Sequence, residues 1–161
     1  GWVLCWLILP PESVRPVGGL VGNLNICPPA VSQAAGVAAF SSAARAALDE
    51  HVRRYAVNRD LLLRRLPDIG VERVAPPDGA FYLYVEVSHL TDDSTRWCQD
   101  VLAATGVALT PGVDFAPPVL GGDPSLDGRA FVRLCFAGST ADCDAAMDRL
   151  AALQSASASI T

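Results

Sequence analysis

The chain has 161 residues, 51% of them hydrophobic and 18% charged, with a formal net charge of -5. That is ample apolar material for one domain with a real core, and with no basic run anywhere the charge excludes the electrostatic footprint of a nucleic-acid or anionic-membrane binder. The longest apolar run, Trp2 to Leu9, is far shorter than the roughly 20 residues needed to cross a bilayer, and it lacks the flanks of a signal peptide.

In chain order, "WVLCWLIL" reads as a buried strand stopped by Pro10-Pro11. The glycine-rich "VGGLVGNLNICPP" that follows reads as a flexible connector, because "GGLVG" is too short and irregular for a phosphate-binding fingerprint. Pro28-Pro29 is a good helix start, since the first turn needs no backbone donor, and "AVSQAAGVAAF" supplies a small-residue helix. Ser41 or Ser42 caps a longer helix whose apolar positions Val52, Tyr55, Ala56, Leu62, Leu63 and Leu66 recur at three- and four-residue steps until Pro67.

The "PPDG" turn at 76–79 opens the strand "AFYLYVEV", and Ser94 to Thr105 forms a helix closed by Gly106. "VALTPG" is a short strand entering a turn, 113–128 a loop of Gly, Pro and Asp, and "RAFVRLCF" a further strand. Ser139 or Thr140 caps a last helix with Cys143, Met147, Leu150 and Leu153 on its buried stripe. "SASASIT" from Ser155 reads as a frayed tail. The sum is an α/β layer with helices packed on one small sheet.

The candidate chemical groups are few. The five cysteines, at 5, 27, 98, 135 and 143, include no Cys-x-x-Cys pair, so neither a zinc site nor a disulfide framework is indicated, and most are expected to be small core residues in a reducing cytoplasm. His51 and His89 lie far apart beside charged or loop-like segments, and solvated or capping roles are expected for both. Asp92-Asp93 and Asp142 with Asp144 read as a loop and a solvated helix start rather than an acid/base pair. All twelve basic residues are arginine, so the chain contains no lysine. With Gly1 at its start and Met147 its sole methionine, it reads as a piece of something longer.

One residue breaks its local pattern. In "FVRLCFA", Arg133 stands mid-strand among apolar neighbours, sharing a face with Phe131 and Cys135 while Val132, Leu134 and Phe136 face the other way. It is either a binding group or a strand-edge arginine that reaches solvent or a nearby acid.

The order of motifs resembles the C-terminal part of fold-type I, class I/II pyridoxal-phosphate-dependent aminotransferases over about residues 1 to 153. "GWVLCW" resembles the family's Gly-Trp-Arg-Leu-Gly-Trp, "NICPPAVSQAA" its Pro-Pro-x-x-x-Gln-x-Ala helix start, and "YAVNRDLLLRRL" its Tyr-x-x-x-Arg-Asp helix. "PPDGAFYLYVEV" resembles the Pro-x-Gly-Ala-Phe-Tyr strand, and "GVALTPGVDF" with "FVRLCFAGS" the final pair. Each match is modest, and the ordered set is specific.

The resemblance implies the small domain of that fold, with the last strand of the large domain and a connector at residues 1–27, interdomain helices and small domain at 28–154, and a disordered tail at 155–161. It implies that Arg133 pairs bidentately with the substrate α-carboxylate, a role suited to a planar fork that never loses its charge. Thr110 to Gly112 and "GAFY" take softer places near the substrate mouth, and core packing of Phe81 and a tight turn at Gly79 explain those residues as well. The family's Schiff-base lysine would precede Gly1, and the phosphate-binding arginine is Val3 here, with Cys5 in place of a glycine. No cofactor ligand is therefore expected in this chain.

The implied parent is a homodimeric cytoplasmic enzyme that uses pyridoxal phosphate to exchange an amino group between an amino acid and a 2-oxo acid; the chain by itself is expected to be catalytically incomplete. The alternatives are a non-catalytic α/β binding or dimerisation module derived from such an enzyme, or an unrelated ligand-binding domain.

Overall fold

The computed structural model describes residues 3–116 and 127–158. The chain divides into two compact units, Gly1–Glu50 and His51–Thr161, so the division falls inside a helix, whereas the sequence reading ends its connector at residue 27.

In the first unit the expected N-terminal strand does not form. Residues 3–10 carry no regular secondary structure, and Ile8 is 93% exposed and Trp6 66%. The apolar run fitted a buried strand, but a strand also needs a neighbour for its backbone N–H and C=O groups, and no ladder partner contacts this run among the described residues. The glycine-rich connector is likewise corrected. Helix α1 spans Pro11–Leu24, with Pro11 in its first turn where a missing N–H is harmless, and it buries no residue. Helix α2, Ala30–Ala39, starts after Pro28-Pro29 as expected. Gln33 Nε2 donates to the Pro28 carbonyl at 2.9 Å, Leu4 packs onto Gly36, and the Trp6 and Phe40 rings lie 5.9 Å apart.

Helix α3, Ser42–Arg65, opens on the Ser41 hydroxyl, which accepts from Ala44 N at 3.2 Å. It closes through a 3-10 turn, Leu66–Ile69, that absorbs Pro67 and ends at Gly70 with φ 74°. The rest of the second unit is strand β1 (Tyr82–Glu86), helix α4 (Ser94–Thr105), strands β2 (Thr110–Pro111) and β3 (Phe131–Cys135), and helix α5 (Thr140–Ala158). Asp93 caps α4 by accepting from Thr95 N and Arg96 N at 3.0 Å, and Gly106 closes it with φ 71°. Ser139 caps α5, accepting from Asp142 N at 3.0 Å and donating to its carboxylate at 2.7 Å. Because α5 runs through Ala158, Ser155 to Ala158 of the expected tail are helical; residues 159–161 lie outside the described residues.

The sheet is antiparallel in the order β1-β3-β2, with Leu83 opposite Leu134, Tyr84 opposite Arg133 and Val85 opposite Val132. The outer edge of β1 is covered by a short run in which Ala75 N donates to the Tyr84 carbonyl and Glu86 N to Arg73. One sheet face is the core. Leu83 and Val85 of β1 and Val132 and Leu134 of β3 are at most 5% exposed and cluster with Leu62 and Leu66, with Cys98 and Val101 of α4, and with Cys143, Met147 and Leu150 of α5. Each such aliphatic side chain contributes about 1.5–3 kcal/mol on burial. The cysteine expectation holds only for Cys98 and Cys143; Cys5, Cys27 and Cys135 are exposed, Cys135 because the strand period turns it to the opposite face.

A buried amide joins these layers. Asn58 of α3 is fully buried, donates to the Phe136 and Gly138 carbonyls at 2.9 and 3.0 Å, and accepts from the Thr140 hydroxyl at 2.6 Å. It satisfies the carbonyls that β3 leaves behind as the chain turns into α5. Nearby, the Arg65 guanidinium meets the carboxylates of Asp68, Asp144 and Asp148 at 2.9, 2.7 and 2.8 Å, tying the end of α3 to α5 and holding its own proton more tightly than a free arginine. Asn58→Leu leaves two carbonyls and a hydroxyl without partners, so we expect a loss of about 1–3 kcal/mol for each group that water cannot reach, measured by urea unfolding. A midpoint unchanged from the parent would show that Asn58 is dispensable.

Candidate functional site

The second sheet face is where the unusual arginine lies. Strand alternation turns Tyr82, Tyr84 and Glu86 of β1, Thr110 of β2, and Phe131, Arg133 and Cys135 of β3 away from the core. Since β3 is the central strand, Arg133 is not an edge residue, and among the described residues no carboxylate pairs with it. Its guanidinium carbon lies 4.0 Å from the Tyr82 ring centroid and 4.1 Å from that of Phe115. One amino group donates to the Thr110 hydroxyl over a long 3.4 Å, and Nε is buried with no hydrogen-bond partner among the described residues. A cation half-buried among rings, with a donor and a charge left unmatched among the described residues, can receive an anion.

The turn carrying Phe115 is held from several sides. A 3-10 turn at Gly112–Asp114 sends the Phe115 and Ala116 amides to the Gly112 carbonyl, each at 2.9 Å. Gly128 N donates to the Ala116 carbonyl at 3.1 Å, and the fully buried Ser94 hydroxyl donates to the Gly128 carbonyl at 3.1 Å. Gly112 and Gly128 touch backbone to backbone, and a Cβ on Gly112 would meet the Gly128 and Phe131 carbonyls and the Tyr84 hydroxyl. That hydroxyl donates to the Gly112 carbonyl at 3.3 Å, and the Tyr84 ring stacks on Phe131 with centroids 5.0 Å apart. Burial pushes the Tyr84 phenol above the usual tyrosine range. The intervening residues 117–126 of the expected loop lie outside the described residues.

The other positions singled out in the sequence take different places. Val3, at the expected phosphate position, is 73% exposed in the first unit and offers no donor beyond its backbone. Phe81 packs against the core between the Tyr55 and Tyr82 rings, and the positive φ of that turn is at Ala80, not Gly79. His51 and His89 are exposed, and Asp93, Asp142 and Asp144 serve helix caps and an ion pair. Sequence reasoning missed Tyr82 and Phe115 as neighbours of Arg133. Tyr82 carried a signal, because it has the parity of a strand face, whereas Phe115 showed only as a lone aromatic in a polar loop.

The unit is thus an antiparallel sheet closed by helices on one face, with Arg133 among rings on the other. Comparison with known proteins supplies its class: the structural neighbours are fold-type I aminotransferases. The aminotransferase class I and II family model matches residues 1–150, and the chain belongs to that family. It is 46% identical over 150 residues to a valine–pyruvate aminotransferase of Mycobacterium tuberculosis, covering 93% of this chain and 37% of that protein. It is 30% identical to an aspartate/prephenate aminotransferase of Thermus thermophilus, covering 94% and 36%. A crystal structure of an aminotransferase from Mycobacterium tuberculosis superposes with a TM-score of 0.79 at 42% identity, covering 94% of this chain and 37% of that one. The chain thus spans little more than a third of the length of these relatives and corresponds to their C-terminal part.

Aminotransferases of this family generally use pyridoxal phosphate. The donor set here does not fit that group: there is no lysine amine for its aldehyde, and Val3 offers no cation for its phosphate. Among the described residues no carboxylate pairs with Arg133, and its planar fork has the geometry to take one. Gly112→Ala must displace the Gly128 and Phe131 carbonyls and the Tyr84 hydroxyl together, and we expect about 1–3 kcal/mol of destabilisation from the overpacking. Loss of the late-ionising phenol from the alkaline absorbance titration should accompany it; an unchanged unfolding midpoint and titration would show that the contact relaxes freely.

Proposed function

We propose that this chain is the substrate-gripping segment of an aminotransferase that moves an amino group between an amino acid and a 2-oxo acid, and that Arg133 holds the carboxylate common to both. The observation that carries the reading is the guanidinium of Arg133, fixed mid-sheet against two rings, with a buried Nε and no acidic partner among the described residues. An amino acid and its 2-oxo acid differ at the α-carbon but share the adjacent carboxylate, so one bidentate contact serves both halves of such an exchange. The planar fork fixes the direction of the Cα–carboxylate bond as well as its position, which a point charge would not. The aromatic surroundings thin the water around the pair and strengthen it.

The reading assigns this chain binding and orientation only. The amine and the phosphate cation that amino transfer requires come from outside these 161 residues, so the isolated chain is inactive, and the whole protein is a homodimeric cytoplasmic enzyme. What supports this division is that the chain has no lysine and has valine where the motif of the family it resembles carries an arginine.

The test joins this chain to the N-terminal remainder of the valine–pyruvate relative. Arg133→Ala is expected to lower kcat/KM by about 1.5–3 kcal/mol, roughly ten- to hundredfold, with pyridoxal phosphate affinity unchanged. Arg133→Lys, which keeps the charge and loses the fork, should remain impaired. Undiminished turnover in Arg133→Ala would make Arg133 a structural residue.

A further inference from the structure

Arginine side chains on open sheet faces ordinarily sample many rotamers, and a bidentate contact requires one plane. Two rings restrict that choice for Arg133. Tyr82 comes from the neighbouring strand β1, two residues from the cross-strand partner Tyr84, and Phe115 from the pinned turn after β2, and each ring centroid is about 4 Å from the guanidinium carbon. The guanidinium carbon sits over both rings, where each π-face attracts the cation. Phe115 is 51% exposed, so burial in the core does not explain its place. What holds it is the chain of backbone hydrogen bonds from Gly112 through Ala116 to Gly128, itself tied down by the buried Ser94 hydroxyl. The network ends at the ring over Arg133.

We propose that Tyr82 and Phe115 are positioning residues that clamp the plane of the Arg133 guanidinium, so that an incoming carboxylate meets its edge in a ready orientation. This rests on the reading of Arg133 as the carboxylate site. The clamp replaces the acidic side chain that elsewhere in the molecule orients an arginine, as Asp68, Asp144 and Asp148 orient Arg65. An acid would compete with the substrate carboxylate for the same edge, whereas an aromatic face attracts the cation and leaves that edge free.

The experiment follows the Arg133 Nε–H resonance in the uniformly nitrogen-labelled chain, assigned by its loss in Arg133→Lys, during titration with pyruvate. In the parent the resonance should lie upfield through ring shielding and move as pyruvate binds. Phe115→Leu and Tyr82→Leu should each return it downfield and weaken pyruvate binding about fivefold, the scale of a cation–π contact. Tyr82→Phe, which keeps the ring, should preserve both. Unchanged amide signals for Leu83 and Val132 certify the fold, and if Tyr82→Leu fails that check the exposed Phe115 carries the test alone. Pyruvate midpoints equal to the parent's in the leucine variants would overturn the clamp while leaving Arg133 as the carboxylate site. No response of the Arg133 signal in the parent would overturn both.

Discussion

The second unit rests on the one-sided burial of a three-stranded sheet. Leu83 and Val85 on β1 register against Leu134 and Val132 on β3, and α3, α4 and α5 close over that face alone. A period of two leaves no freedom afterwards. Once Val132 and Leu134 are committed to the core, Arg133 between them must face the other way, and a one-residue slip would drive its charge into the cluster of Leu62, Met147 and Leu150. The pairing that makes the core also sets the position of the Arg133 guanidinium.

The connections then supply what the sheet cannot. Asn58 reaches from α3 to the end of β3 and the start of α5, a span where backbone carbonyls have no ladder partners, and it does so from a fully buried position. At the opposite end of the strand, Gly112 and Gly128 come close enough to exclude side chains, and Ser94 at the start of α4 holds the junction with its hydroxyl. Both ends of β3 are tied to helices by uncharged side chains whose hydrogen bonds gain strength from exclusion of water. Arg133 lies in the stretch between these two anchors, on a frame with little freedom to move.

The electrostatics of the unit separate structure from function. Arg65 is saturated by three carboxylates at the solvent-facing junction of α3 and α5, and Arg129 by Asp127, whose carboxyl that guanidinium holds below the usual range. Among the described residues Arg133 has rings where those have acids. An ion pair among exposed groups is a modest stabiliser, and an unpaired, half-buried guanidinium is a standing demand for an anion. The chain belongs to the class I and II aminotransferases, and it carries neither a lysine nor, at position 3, a cation.

Much of this was legible in the linear sequence, and the reasons it stops are physical. Alternation in "FVRLCF", the cap and stop signals at Ser41, Pro67, Ser139 and Gly106, and the three- and four-residue spacing in α3 and α5 are local, and each is found where the sequence placed it. The ordered motifs carried the family and singled out Arg133. The N-terminal apolar run misled, because hydrophobicity records a preference for burial and not the presence of a pairing partner, so residues 3–10 form no strand and the glycine-rich segment after them is helix α1. Asn58, Ser94, Tyr82 and Phe115 were silent for a related reason: their roles depend on contacts with residues such as Phe136, Gly128 and Arg133, from 18 to 78 positions away. Periodicity by itself determined which way Arg133 faces; only the tertiary structure decided what meets it there, because that depends on which loops the packing of helices and strands brings to the open face.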